Sequence, residues 1–295
     1  MLQPTLVHFT TKDHLELPGL LFRPNKSTKA AIFLHGNGST SVFYGKGRAE
    51  YAQELAKKNI AFLSFNNRGA HYMKKLNIGK TNESKMFGMA YELIKDCALD
   101  IDAAIAFLQK EGFKEFYLVG ESTGANKICV YDFYKPENEI SKYILLGGGD
   151  DTGIYYDQLG DKKFWPLLEQ ALQHIKKDTA DEIVPDLLPD DIFSYKSFYD
   201  LANPDGDYNV FPFYEALKDA RLSRKQVLFH KFKALHKPSL VIYGEKDEYA
   251  WGNVPKIVNI LKKVQPDFTY KIVKGADHSF HGHRDKVGKL IADWL

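Results

Sequence analysis

Phe116-Tyr117-Leu118-Val119-Gly120-Glu121-Ser122-Thr123-Gly124 is the stretch that decides how this chain is read. Its first four residues form a short apolar run suited to a buried strand, and a helical pattern follows Ser122. Glycines two residues before and after the serine remove side chains that would collide across a sharp strand-to-helix turn. Ser122 is expected at the apex of that turn.

Working outward, the same alternation of short apolar strand and amphipathic helix recurs. A hairpin is expected from residues 5–9 and 15–22, and buried strands near 31–34, 61–65, 116–119, 143–146, 240–243 and 270–273. Helical patterns lie between them at 48–58, 90–110, 122–134, 254–264 and 284–294. This pattern implies an α/β fold: a mostly parallel central sheet with helices on both faces. Ligands of such sheets bind beyond the carboxyl ends of the strands.

One interval breaks the alternation. Residues 151–238 hold no core strand, far more chain than an ordinary connection needs. The expected division is a core of 1–150 and 239–295 with an inserted helical cap at 151–238, helical near 163–177 and 212–222. The insertion is rich in aromatic residues; most should bury the cap onto the core, and Trp165, Phe211 and Tyr214 are taken as candidates to line a substrate pocket. The basic run Arg221, Arg224, Lys225, Lys231, Lys233 and Lys237 is read as a solvated face balancing the acidic stretch 178–191.

The 295 residues, 44% hydrophobic and 26% charged, suit one globular domain carrying an insertion. A net charge of +2 gives no basis for nucleic acid or an anionic membrane as a partner. Residues 1–12 lack the apolar core of a signal peptide, and no run of about 18 apolar residues exists to span a bilayer, so a cytoplasmic location is expected. Cys97 and Cys129 fall in helical patterns and read as reduced, buried thiols. Oligomeric state is left open.

The chain resembles the serine α/β-hydrolase superfamily over nearly its whole length. Four motifs carry the resemblance in order: His35-Gly36-Asn37-Gly38-Ser39 after a strand, the serine turn, Tyr243-Gly244-Glu245-Lys246-Asp247 after a late strand, and Gly275-Ala276-Asp277-His278-Ser279-Phe280. The likeness implies a capped esterase- or lipase-like member acting on a small-molecule ester without a cofactor, with Ser122, His278 and Asp247 as the catalytic set. Asp150, after an earlier strand, is the alternative acid. A weaker likeness is to capped members that include siderophore esterases.

Chemistry explains why these residue types must meet. A serine hydroxyl is a poor nucleophile near neutral pH, so Ser122 needs a neutral imidazole, His278, to take its proton. A carboxylate on the other ring nitrogen must hold the tautomer and stabilise the imidazolium. The oxyanion formed on the carbonyl needs fixed donors, for which the backbone amides of Thr123 and Asn37 are the candidates. A thioesterase or peptidase on the same residues, or a non-catalytic ligand-binding protein, are the competing readings. Asn66-Asn67-Arg68-Gly69 resembles a family turn but has Asn66 where aspartate is common, and Arg68 is read as structural. Gly79-Lys80-Thr81 lacks the earlier glycine of a phosphate loop. The spacing of Asp277, His278, His281 and His283 matches no familiar zinc site, so no metal is expected.

Overall fold

A computed structural model describes residues 2–37, 41–44, 48–79, 81 and 83–295. Gly38 and Ser39 of the first loop, and Lys80 of the discarded phosphate-loop reading, lie outside the described residues.

An antiparallel hairpin of β1 (Thr5–Thr10) and β2 (Glu16–Phe22) is followed by β3 (Lys29–Leu34), α1 (Arg48–Ala56) and β4 (Ile60–Phe65). A separate small hairpin, β5 (Lys74–Asn77) and β6 (Ser84–Phe87), leads through two 3-10 turns at Met89–Tyr91 and Ile94–Asp96 into α2 (Cys97–Lys110). Next come β7 (Glu115–Glu121), α3 (Thr123–Tyr134) and β8 (Ile140–Leu146). Helices α4 (Asp151–Leu159), α5 (Asp161–Lys176), α6 (Tyr195–Ala202), α7 (Phe213–Lys218) and α8 (His230–Ala234) precede β9 (Ser239–Gly244). The chain ends with α9 (Val254–Val264), β10 (Thr269–Val273) and α10 (Arg284–Trp294).

The eight-stranded sheet runs β1-β2-β4-β3-β7-β8-β9-β10 and is parallel from β4 onward. Its central strands read as unbroken apolar runs because both faces are covered. Ala30, Ile32, Leu34, Leu118, Leu145 and Val241 enter one core with α2, α3 and α9, whereas Ala31, Phe33, Val119, Ile144 and Ile242 enter another with α1 and α10. Successive strand residues point to opposite faces, so each strand feeds both cores. Full burial of one such leucine contributes about 1.5–3 kcal/mol. The parallel register sets Leu34 beside Gly120, Glu121 beside Leu146, and Gly244 beside Val273. The loops that leave β3, β7, β9 and β10 therefore converge at one edge.

Three local expectations change. The helix expected over 90–110 begins only at Cys97, because Glu92 and Leu93 are extended and Glu92 turns inward to the fully buried Lys127 on α3, 2.5 Å away. The helix expected over 212–222 stops at Lys218, where Asp219 is left-handed and the Glu215 carboxylate captures the amides of Leu222 (2.7 Å) and Ser223 (2.9 Å). Lys231, assigned to a solvated face, is buried and pairs with Asp207 at 3.1 Å. Cys97 and Cys129 are buried free thiols whose pKa burial pushes up. Among the described residues no helix is long and apolar enough to cross a membrane.

Candidate active site

Ser122 stands between the last residue of β7 and the first of α3, with φ 57° and ψ −128°, a conformation that side chains rarely adopt. The amide of Ser122 donates to Leu146 O (2.8 Å) and its carbonyl accepts from Ala125 N (2.8 Å), which locks the turn. Both flanking glycines are required by contact. A Cβ on Gly120 would lie 2.2 Å from Gly124 O, and one on Gly124 would lie 2.2 Å from Leu34 O.

Asp247 follows β9 and His278 follows β10, so adjacent parallel strands deliver them side by side. His278 Nδ1 is 2.9 Å from Asp247 Oδ1, and the two residues are only 7% and 3% exposed. That carboxylate oxygen also accepts the Tyr249 amide (3.0 Å), while the Glu248 carboxylate accepts the backbone N–H of His278 (3.1 Å). The Tyr249 ring meets the His278 ring edge-on at 4.7 Å. Burial opposes protonation of His278, but the hydrogen bond and charge of Asp247, with Glu121 and Glu248, outweigh it and raise the imidazole pKa above its ordinary value.

Ser122, Thr123, Asn37 and His278 open onto one cavity of about 400 Å³. The loop carrying Asn37 is held from below: His35 Nδ1 binds Gly36 O at 2.7 Å and its Nε2 accepts the Asn67 amide at 3.2 Å. Burial holds His35 well below its ordinary pKa, consistent with a neutral ring that accepts at one nitrogen. The Asn37 side chain is hydrogen-bonded to Tyr208. A Cβ on Gly36 would meet Ser122 Cβ at 2.8 Å, so this loop passes close over the serine. Next door, Asn66 Oδ1 accepts the Val42 amide (2.8 Å), and Arg68 pairs with Asp100 (2.8 Å) and Asp13 (3.1 Å), a fixing role for Arg68 away from the cavity.

The alternative acid is elsewhere employed. Asp150 caps α4 through the Gly153 amide (2.8 Å) and accepts the Tyr214 amide (2.6 Å), with burial raising its pKa to about 7. Asp277 binds His281 at 2.8 Å, and among the described residues no group of three or more His, Cys, Asp or Glu is arranged to hold a metal ion.

The pocket-lining assignments of Trp165, Phe211 and Tyr214 are corrected. None of the three borders the cavity beside Ser122. Phe211 is 1% exposed and wedged against Gly148, Phe213 and Phe232; Trp165 donates to Asp161 (2.7 Å) against Phe164; Tyr214 packs between Tyr156 and Trp251. The aromatic lining comes instead from Tyr72, Tyr155 and Tyr249.

A family model described as a protein of unknown function (DUF1749) matches residues 81–293. The chain belongs to that family. This DUF1749 protein also superposes on solved structures over nearly its full length. With ferulic-acid-bound Est1E from Butyrivibrio proteoclasticus it shares 15% identity at a TM-score of 0.64, covering 98% of this chain and 97% of that one. A soluble variant of monoglyceride lipase from Saccharomyces cerevisiae, in complex with a substrate analogue, gives 16% identity and a TM-score of 0.60 over 100% and 95% of the two chains. The Pyrococcus furiosus esterase Pf2001 gives 20% and 0.56 over 100% and 92%. The fold of the DUF1749 chain is the α/β-hydrolase fold. No curated protein matches the chain.

The carboxylates of Glu121, Asp151, Asp191 and Glu248 also line the cavity of this DUF1749 member and were not foreseen. Asp151 and Glu248 each directly follow a residue that had been singled out as an acid, Asp150 and Asp247. Position along the chain was thus the only signal for them, and it does not say which carboxylate turns inward.

Proposed function

We propose that the protein is a serine hydrolase that cleaves carboxylic esters through an acyl-enzyme. The observation that carries this reading is a serine on a strained, glycine-flanked turn that shares one cavity with an imidazole whose Nδ1 is held by a buried carboxylate. In the proposed mechanism His278 Nε2 accepts the Ser122 proton as Oγ attacks the ester carbonyl, and Asp247 stabilises the resulting imidazolium. The amides of Thr123 and Asn37 receive the oxyanion; losing one such donor costs about 3 kcal/mol of barrier. His278 then protonates the departing alkoxide, and water repeats the sequence to release the acid. Thioester or peptide cleavage would use the same groups, with esters favoured over amides because alkoxides leave more readily than amines.

A fluorophosphonate probe and a chain-length series of chromogenic esters, with thioester and peptide substrates alongside, test the reading. Covalent labelling of Ser122 and ester turnover are the expected results. A folded protein that neither reacts with the probe at Ser122 nor cleaves any of these substrates overturns it.

The pH profile is a second expectation. Only neutral His278 is a base, so kcat/KM should rise with pH, and the raised pKa sets the limb above the ordinary histidine value of about 6.5. A limb below that value would contradict the charge arrangement around the ring. Chelators should leave activity unchanged, since every group in this mechanism belongs to the chain.

In the same reading residues 151–238 act as a cap that sets substrate choice, contributing Ile154, Tyr155 and Gln158 to the cavity wall. Tyr155→Ala should reorder a series of esters by about tenfold or more in kcat/KM while changing the smallest acetyl ester least, as remote binding energy does. Trp165→Ala should leave the ranking unchanged. Equal slowing of all esters by Tyr155→Ala in a folded protein would deny the cap that role.

A further inference from the structure

We propose that Asp151 anchors a positively charged group of the substrate, so that the esters cleaved at Ser122 are cationic ones; the inference rests on the ester-hydrolase reading above. Asp151 is the first residue of α4, and its carboxylate accepts from Thr123 Oγ1 (3.2 Å) and Asn126 Nδ2 (3.3 Å) directly behind the serine turn. It opens on the same cavity as Ser122.

The charges around that cavity are one-sided. Glu121, Asp151, Asp191 and Glu248 line it, whereas among the described residues no lysine or arginine does, and His278 is the sole basic group. Asp150 and Glu215 are met by neutral donors, but other buried carboxylates hold cations, as Asp100 holds Arg68 and Glu92 holds Lys127. The cavity carboxylates have neutral donors instead. Asp191 binds the Tyr155 side chain, Glu248 takes the His278 amide, and Asp151 takes a hydroxyl and an amide. Glu121 has a basic neighbour in Arg48 of α1, besides a long hydrogen bond from Tyr51 (3.4 Å), and Asp151 feels the charges of His278 and Lys127 without an ion pair to either.

Neutral donors satisfy the lone pairs of a carboxylate but leave its charge in place. A desolvated negative charge without a cation is costly, and a positively charged ligand group offsets that cost. Burial raises the Asp151 pKa to about 6 despite the Thr123 hydrogen bond and the more distant charges of His278 and Lys127. The rings of Tyr72, Tyr155 and Tyr249 border the same space and can face a quaternary or primary ammonium, to which aromatic faces are attractive. An anionic substrate would meet repulsion from several sides, so the arrangement discriminates by rejection as well as by attraction.

Two isosteric pairs read the charge alone: acetylcholine against 3,3-dimethylbutyl acetate on the alcohol side, and the p-nitrophenyl esters of 4-(trimethylammonio)butanoate and 5,5-dimethylhexanoate on the acyl side. Calorimetric binding to the Ser122→Ala protein needs no turnover. In at least one pair the cationic ester should bind about tenfold or more tightly than its neutral partner, with the advantage shrinking in high salt. Asp151→Asn should remove most of it, and Asp191→Asn less. Equal or weaker binding of both cationic esters overturns the proposal, and an undiminished preference in a folded Asp151→Asn protein overturns the assignment to Asp151. If Asp151→Asn does not fold, the isostere ratio and its salt dependence in the Ser122→Ala protein decide the matter. Absence of Ser122 labelling and of all ester turnover in the unmutated protein would instead count against the hydrolase reading, while the binding ratio still reports on the cation.

Discussion

Ser122→Ala is expected to lower the turnover of any ester the protein cleaves by on the order of 10⁶-fold, with almost no change in thermal stability. The chemical part follows from the cavity wall. Thr123 and Ser279 also present hydroxyls there, but Thr123 Oγ1 is committed to Asp151, and neither stands at the apex of the glycine-flanked turn, where Ser122 does. The stability part follows from the turn itself. Its strain resides in the backbone at φ 57°, and alanine keeps both that backbone and the Cβ over which the Gly36 loop passes. Steady-state kinetics, a melting curve and fluorophosphonate labelling check the three arms together. Turnover within about tenfold of the parent, or strong labelling of another residue in the variant, would remove Ser122 from the mechanism.

What could be read from the sequence was what depends on local sterics and on chain order. Gly120 and Gly124 are dictated by contacts within a few residues of Ser122 and with the adjoining strand, so the motif announces the turn. Asp247 and His278 end neighbouring parallel strands, and a 31-residue spacing accommodates the α9 and β10 that bring them to 2.9 Å. The cavity wall was not legible, because aromatic content says nothing about which way a side chain turns. Phe211 and Tyr155 are both aromatic residues of the same insertion, yet one seals Gly148 into the core and the other borders the void beside Ser122. The helix boundary at Cys97 was hidden for a related reason. Its cause is the Glu92–Lys127 pair, a contact between residues 35 apart, and periodicity sees only near neighbours.

Asp247→Asn should lower kcat by about 10³ to 10⁴-fold, and the geometry shows that the asparagine has no good orientation. With its oxygen in the position of Oδ1 it keeps the bonds to Tyr249 N and His278 Nδ1, but its NH₂ then occupies the buried Oδ2 position, which has no hydrogen-bond partner among the described residues. A buried donor left in that state costs about 1–3 kcal/mol. Flipped, the NH₂ opposes the Tyr249 amide and donates to His278 Nδ1, which moves the imidazole proton to Nε2 and removes the base that Ser122 needs. Either way the negative charge that stabilises the imidazolium is gone. That loss predicts a second change: because Asp247 is what raises the His278 pKa against burial, the acidic limb of kcat/KM should move to lower pH in the variant even as the rate falls. Asp150→Asn should behave differently, costing about 1–2 kcal/mol of stability through the α4 cap and the Tyr214 amide while leaving the limb where it was. A folded Asp150→Asn protein slower than Asp247→Asn, or an unmoved limb in Asp247→Asn, would transfer the role of acid away from Asp247.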